Sequence, residues 1–313
     1  MLVVGATGTT GLRAIQGLLD VGYEPAQLVL TTRDSSKPKI RKLRKIGFGI
    51  VEADLQRVSS LRGIGKGCAG CYVHATGGDT AELDTSEVSS ARNLADALHD
   101  DVKSVVYNSA AGAVDHGVAR IQQKHDVEAI FAGRERPCRV TSLRANIFGE
   151  ELWKEYTRPR ILSGEYPLPV NRWRKIYLTS VRDMGRLAGT IIAKDTGDGG
   201  DSGTTATTTL RVINVAGGHM SGPRIARAFG RAQGSECRHV NNRELTKMAK
   251  ESFPDLYEQI HFLQTSKERT NIRALKRQFP GLISSFDEFL EESQWGDPER
   301  TFEDLSNPES LVV

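Results

Sequence analysis

The sequence predicts an α/β fold: a doubly wound parallel sheet with a smaller, mainly helical C-terminal lobe. Three observations carry that reading. Short apolar strand segments alternate with helical patterns through roughly the first 150 residues, as parallel sheets with covering helices require. A glycine-spaced turn, Gly5-Ala-Thr-Gly8-Thr-Thr-Gly11, comes directly after the first strand. Beyond it lies a change of texture, to the aromatic and proline-rich stretch from Trp153 to Pro169.

Leu2 to Val4 reads as a buried strand, and Leu12, Ile15, Leu18 and Leu19 fall on one face of the helix after the turn. A strand at Gln27–Thr31, a basic helix around Ile40–Ile46 and a strand at Gly49–Glu52 come next. Further strands are expected at Gly70–His74, Ser104–Asn108 and Arg139–Leu143, separated by helices at Ser86–Leu98 and Val118–Phe131. Right-handed crossovers then favour the Rossmann-type arrangement. Later, a helix at Arg186–Ala193, a Gly/Thr/Asp-rich surface loop from Asp195 to Thr209, a strand at Leu210–Val215 and a helix near Gly222–Ala232 are expected. Residues 1–149 thus form the first domain, with returning segments near 176–193 and 210–217. Residues 150–175 and 218–295 form the lobe, mainly helical from Arg243 to about Glu292, and 296–313 a loose tail.

A net charge of +3 gives no field that argues for nucleic acid, and no stretch is apolar enough to span a membrane. The basic residues are nevertheless clustered, with seven cations between Arg33 and Lys45. Four cysteines are too few and too scattered for a disulfide framework; Cys68-Ala-Gly-Cys71 has redox or zinc-knuckle spacing, but no second pair completes a metal site, and the two read as packing at the start of a strand. The N-terminus has no signal peptide or presequence, yet a strand at residue 2 begins abruptly. Upstream sequence is therefore expected, and the compartment is cytoplasmic or, with a lost targeting segment, an organelle such as plastid or mitochondrion. Oligomeric state is open.

In the glycine turn, Gly5 permits the bend, Gly8 lets backbone approach a pyrophosphate, and Gly11 lets helix pack on strand. Thr7, Thr9 and Thr10 complete the cradle, whose orphan N–H groups face the phosphates. Thr31-Thr32-Arg33 at the end of the second strand offers a guanidinium suited to a 2′-phosphate where an NAD site usually has a carboxylate. Arg33, with Lys37 or Lys39 as second cation, favours NADP(H) over NAD(H); Asp34, next after the arginine, complicates this. Asp54, with Leu55 beside it, reads either as partner of the adenine amino group or as a cap for the next turn, and the two can coexist.

GATGTTG, TTRD, the EADL turn, VVYNSAAG, SLRANIFGE and IYLTSVRDMGRLAGTII together resemble the atypical short-chain dehydrogenase/reductases, and within them the NmrA-like branch. LKRQFPGLISSFDEFLEE resembles that branch's C-terminal region, so the likeness covers roughly residues 1–292. The resemblance implies that Ser109 and Lys124 take the places of the active-site serine and lysine. Orthodox members carry a tyrosine four residues before the lysine, where this chain has Arg120, so the tyrosine-based proton relay is absent. His74 and Ala75-Thr76-Gly77 after the fourth strand are expected along the nicotinamide ribose. Asn108 is expected at the cofactor as well. Arg144 to Phe148, including Asn146, should border the nicotinamide; Ala145 stands where the family commonly has proline.

Two readings are open. In one, as in isoflavone reductase-like relatives, Lys124 works without tyrosine as ribose anchor or proton donor, its charged form disfavoured by Arg120 one turn away, and the protein reduces a small carbonyl, enone or quinone. In the other the dinucleotide is a signal, and the protein is a nonenzymatic sensor or an accessory subunit with a protein partner. Read alone, Lys124 can equally be an exposed helix lysine, and His74, His116 and His125 read as structural or solvated. Asp183-Met-Gly185 reads as a helix entry. Trp153, Tyr156, Trp173 and Tyr177 are candidates for an aromatic pocket or for the lobe's core.

Overall fold

The computed structural model describes residues 1–74, 86–112, 118–197 and 208–311. The chain begins with β1 (Leu2–Val4), α1 (Thr9–Asp20), β2 (Val29–Thr32), α2 (Pro38–Ile46), β3 (Gly49–Glu52), β4 (Gly70–Val73), α3 (Ser86–Ala97), β5 (Ser104–Ala110), α4 (Ala119–Ala132) and β6 (Arg139–Ala145). It continues through β7 (Ile147–Phe148), α5 (Arg158–Leu162), β8 (Glu165–Leu168), β9 (Lys175–Thr179), α6 (Val181–Thr196), β10 (Thr209–Val215), β11 (Gly218–Ser221), α7 (Gly222–Gln233) and β12 (Arg238–Asn241). Helices α8 (Arg243–Ser252), α9 (Pro254–Thr265), α10 (Ile272–Gln278) and α11 (Phe286–Glu292) complete the order.

Seven parallel strands form the central sheet in the order β10-β6-β5-β4-β1-β2-β3. The order reverses at β1, between β2 and β4, which opens a crevice at the carboxyl edge where doubly wound folds bind ligands. Alternate residues of each strand serve the two faces. Val3, Leu30, Tyr72, Val106 and Leu143 pack under α1, α2 and α6, while Val4, Val73, Val105, Tyr107 and Val140 pack under α3 and α4. Cys68 and Cys71 are free thiols in that second layer, as their strand position suggests.

Helices α1 and α6 meet backbone to backbone. A Cβ at Gly17 would lie 2.0 Å from the Gly185 carbonyl oxygen, one at Gly185 2.0 Å from that of Arg13, and one at Gly189 2.0 Å from that of Gly17. Leu12, Ile15 and Leu18 of α1 and Leu187 and Ile191 of α6 flank this seam and are buried, each contributing roughly 1.5–3 kcal/mol. Helix α6 is longer than its apolar pattern suggests. Ser180 caps it by accepting from the Arg182 N–H, and its end includes Asp195 and Thr196, expected in a loop. Asp195 accepts from the Ser104 hydroxyl at 3.0 Å and pairs with Arg211. Residues 198–207 of that expected loop lie outside the described residues.

The lobe contains more strand than expected. β7, β9 and β11 form one small sheet, and β8 pairs with β12. Trp153 and Trp295, 5.1 Å apart, centre the lobe's core with Tyr166, Phe229 and Phe286. The tail expected to be loose is instead docked as far as residue 311. Leu311 is buried in the α1/α2 layer, Leu305 in the lobe's core, and Lys39 and Lys42 of α2 hold Ser306 and Glu309. Its few apolar residues are spaced as anchors along turns and two short 3-10 helices, Glu303–Ser306 and Pro308–Ser310, a pattern that has no periodicity to read.

Gly185→Val drives its side chain into the Arg13 carbonyl, so chemical denaturation should show a loss of about 3 kcal/mol. An unchanged unfolding midpoint is the result that contradicts the backbone seam.

Candidate active site

A cavity of about 1420 Å³ runs along the carboxyl edge of the sheet and under the lobe. Its floor is built from the segments at the carboxyl ends of the strands: Gly5 to Thr10 after β1, Arg33 and Lys37 after β2, Asp54 and Leu55 after β3, His74 after β4. Gly5 has φ +79°, and a Cβ there would meet the His74 carbonyl at 2.6 Å, so only glycine makes this turn. A Cβ at Gly11 would lie 2.1 Å from the Gly5 oxygen; this glycine packs the helix against the turn and does not line the cavity. At Gly8 a Cβ would meet only the Gly5 oxygen, at 3.6 Å. No side chain caps α1, whose first N–H groups remain available to an anion. These features fit a dinucleotide's pyrophosphate.

The carboxylate that complicates the end of β2 is occupied. Asp34 accepts from the backbone N–H of Ser36 at 2.8 Å and from its hydroxyl at 2.6 Å, bonds that hold its carboxyl below the ordinary range. Arg33 and Lys37 are left facing the cavity. Asp54 caps its turn by accepting from the Gln56 N–H at 3.0 Å and also lines the cavity. Ala75, Thr76 and Gly77 lie outside the described residues, as does His116. Asn108 stands behind the wall, its amide nitrogen 2.8 Å from the His74 ring. Asn146 lines the cavity but spends its amide on the Val215 carbonyl at 3.0 Å and the Thr270 hydroxyl at 3.2 Å.

Lys124 is the cation of a mostly buried ion pair. Its Nζ donates to Glu87 Oε1 at 2.6 Å, and the same oxygen accepts from the Tyr107 hydroxyl at 2.8 Å. Lys124 also lies over the Tyr107 ring, 5.8 Å from its centroid. Burial, with the Glu87 charge, pushes the Tyr107 phenol well above its ordinary value and keeps it a neutral donor. Lys124 and Arg120 both line the cavity. The charge fixed against the lysine is therefore a carboxylate on α3, 37 residues away, and not only the cation one turn away that is visible in the sequence.

Ser109 does not stand at the cavity, as the family resemblance implies it should. It lies on the β5 face toward α4 and donates to Glu128 Oε1 at 2.6 Å, away from the cavity. Ser142 donates to the same oxygen, and Arg144 grips the carboxylate with Nε at 2.9 Å and Nη2 at 2.6 Å. Burial opposes the charge of Glu128, but these donors outweigh it and hold the carboxyl below its ordinary value. Arg144, expected at the nicotinamide, is thus turned inward, while Ile147 and Phe148 do reach the cavity.

A model of the NmrA-like family matches residues 1–282. The chain belongs to the NmrA-like family. No curated protein matches it by sequence. Among solved structures, it is similar to Citrobacter sp. triphenylmethane reductase complexed with NADP(H), with TM-score 0.71 and 17% identity over 93% of this chain and 98% of that one. Escherichia coli NADPH-dependent quinone oxidoreductase QOR2 with NADPH gives 0.63 and 17% over 97% and 98%. The negative transcriptional regulator NmrA with NADP gives 0.65 and 14% over 93% and 94%. At these identities the likeness is one of fold.

Within this NmrA-like chain one cavity-wall residue, Glu150, had no local signal. Glu150, buried at the cavity wall, accepts from the Val181 N–H at 3.0 and 3.1 Å and from the Ser180 hydroxyl at 3.2 Å, closing the start of α6. Burial pushes its carboxyl up to about 7. Asp183 of the helix-entry motif binds the Ser284 N–H and hydroxyl, and burial pushes it up to about 6. Of the four aromatic candidates, Tyr177 lines the cavity, Trp153 is core, and Tyr156 and Trp173 are exposed. Among the described residues no helix is long and apolar enough to cross a membrane.

Because Glu150 binds its proton more tightly folded than unfolded, it favours the folded state below its ordinary value of 4.5 and loses that contribution as pH rises toward about 7. Glu150→Gln should remove on the order of 1–3 kcal/mol of the stability difference between the two ends of that window. Denaturation curves at both ends check this, and equal pH dependence in both proteins contradicts it.

Proposed function

We propose that this NmrA-like protein is an NADP(H)-dependent reductase acting on a small carbonyl, enone or quinone, with Lys124 holding the proton. The observation that carries the reading is a cavity-lining ammonium fixed at 2.6 Å by a buried carboxylate. When bound, the reduced dinucleotide supplies the hydride. The chain's own residues do the rest. The α1 N-terminus receives the phosphates, and Arg33 with Lys37 receives the 2′-phosphate, with Asp34 engaged elsewhere. Glu87, whose Oε1 accepts from the Tyr107 hydroxyl as well, keeps the Lys124 Nζ in place, and from there the ammonium donates a proton to the oxygen of a reduced substrate. NADP(H) in the crystals of triphenylmethane reductase, QOR2 and NmrA supports the choice of cofactor.

A specific observation favours a second reading, a nonenzymatic NADP(H) sensor or accessory subunit: the Ser109 hydroxyl is withdrawn into the Glu128 cluster and Arg120 stands in the tyrosine position. NADPH that binds and exchanges without oxidation against a panel of quinones and enones selects it.

Arg33→Ala should weaken NADPH binding about ten-fold or more and leave NADH within a few-fold, read by cofactor fluorescence titration. Equal losses for both cofactors would sink the 2′-phosphate role. Lys124→Met combined with Glu87→Gln leaves no lone buried charge and should cut turnover about 100-fold or more, with NADPH affinity within a few-fold. Retained turnover in this double variant would falsify the proton-holding role.

A further inference from the structure

The lobe's share of the cavity has the form of a slot. Lys175 and Tyr177 are two residues apart on β9 and so leave one face of its sheet, and the antiparallel register sets His219 of β11 opposite Tyr177 and Ser221 opposite Lys175. The Tyr177 and His219 rings stack face to face with centroids 4.0 Å apart and planes 8° apart, and both line the cavity, so the platform they offer a further ring is the outer face of the stack. A second wall comes from α9, where Leu256, Ile260 and Leu263 recur at helical spacing and line the same cavity. Arg174 ties the two walls together. Its Nε donates to the Leu263 carbonyl at 2.8 Å and its Nη2 to that of Ser266.

The charge around the platform is one-sided. Burial, then the Lys175 and Arg174 charges, lower the His219 imidazole below its ordinary value, so it is neutral at pH 7. Arg174 spends its donors on carbonyl oxygens, while Lys175 stays exposed at the slot. The carboxylates on the same cavity are committed elsewhere: Asp54, on the floor, to the Gln56 N–H at 3.0 Å, Glu150 to α6, Glu151 to Lys154 at 2.7 Å, and Glu268 to Asn214 at 3.1 Å. A flat platform facing aliphatic side chains selects a planar apolar ring, and an uncompensated ammonium beside it selects a negative substituent.

We propose that the slot takes a planar aromatic ligand bearing an anionic group, its ring on the Tyr177–His219 platform and its charge beside Lys175. The inference rests on the reductase reading only in treating that ligand as the hydride acceptor.

Calorimetric binding in the presence of NADP tests it with two probes of like ring size, neutral menadione and anionic naphthoquinone sulfonate. The sulfonate should bind about five-fold tighter, Lys175→Gln should erase that preference while holding menadione within about two-fold, and Lys175→Glu should reverse it. Tyr177→Leu should weaken both probes. Equal affinities in the native protein, a preference that survives Lys175→Gln, or no binding of either probe overturns the proposal. Charge-selective binding without NADPH oxidation leaves the slot standing as a ligand site and removes the reductase reading; oxidation without charge selectivity does the opposite.

Discussion

Helix α1 can point its N-terminus into the cleft only because α6 lies against it with no side chain between them. Gly17 sits between Gly185 and Gly189, and each would place a Cβ at 2.0 Å from a carbonyl of the other helix. This seam fixes more than packing. Arg13, one turn above it on α1, donates to the Leu305 carbonyl of the tail, and its charge also acts on Glu150, which closes the start of α6. The phosphate cradle, the cavity wall and the tail therefore share one rigid reference. A single methyl group at the seam would displace all three.

The interior carries carboxylates in two regimes, and their partners explain the difference. Glu87 and Glu128 each contact a cation directly and accept further hydroxyl donors. Glu150 and Asp183 accept only from backbone N–H groups and serines, with cations acting at a distance, so burial wins and their carboxyls are pushed up to about 7 and about 6. The directly paired groups hold side chains in place on the face of β5 and β6 toward α3 and α4. The other two hold the backbone at the two ends of the lobe's attachment.

The Rossmann architecture was legible because its signals are local. The spacing Gly5, Gly8, Gly11 lies within seven residues, and the strands of the sheet are apolar runs bounded by breakers, so most elements fall within a few residues of their predicted places. The cavity floor was legible for the same reason, since Arg33, Lys37, Asp54 and Leu55 lie just beyond strand ends. What escaped were pairings across the chain. Nothing near Lys124 announces Glu87, nothing near Ser109 reveals that Glu128 claims its hydroxyl, and Arg144 meets that same glutamate from another strand. The α9 face was readable in principle, from Leu256, Ile260 and Leu263, but spacing does not say what a helix covers.

The cluster of cations near α2 shows how one patch serves two ends. Arg33 and Lys37 face the cavity, whereas Lys39 and Lys42 lie further along and hold the tail through Ser306 and Glu309. That tail is gripped at its other end by Arg158, which donates to the Trp295, Asp297 and Arg300 carbonyls from within the lobe. Between the two grips, Phe302 reaches the cavity wall. Lobe and sheet are thus joined by a strap that passes the dinucleotide cradle as well as by β7 and α6. The surface Lys42–Glu309 pair contributes little by itself, since exposed ion pairs are screened. The weight falls on Leu305 and Leu311, buried in separate cores, so the strap is held at two points by burial and aligned between them by charge.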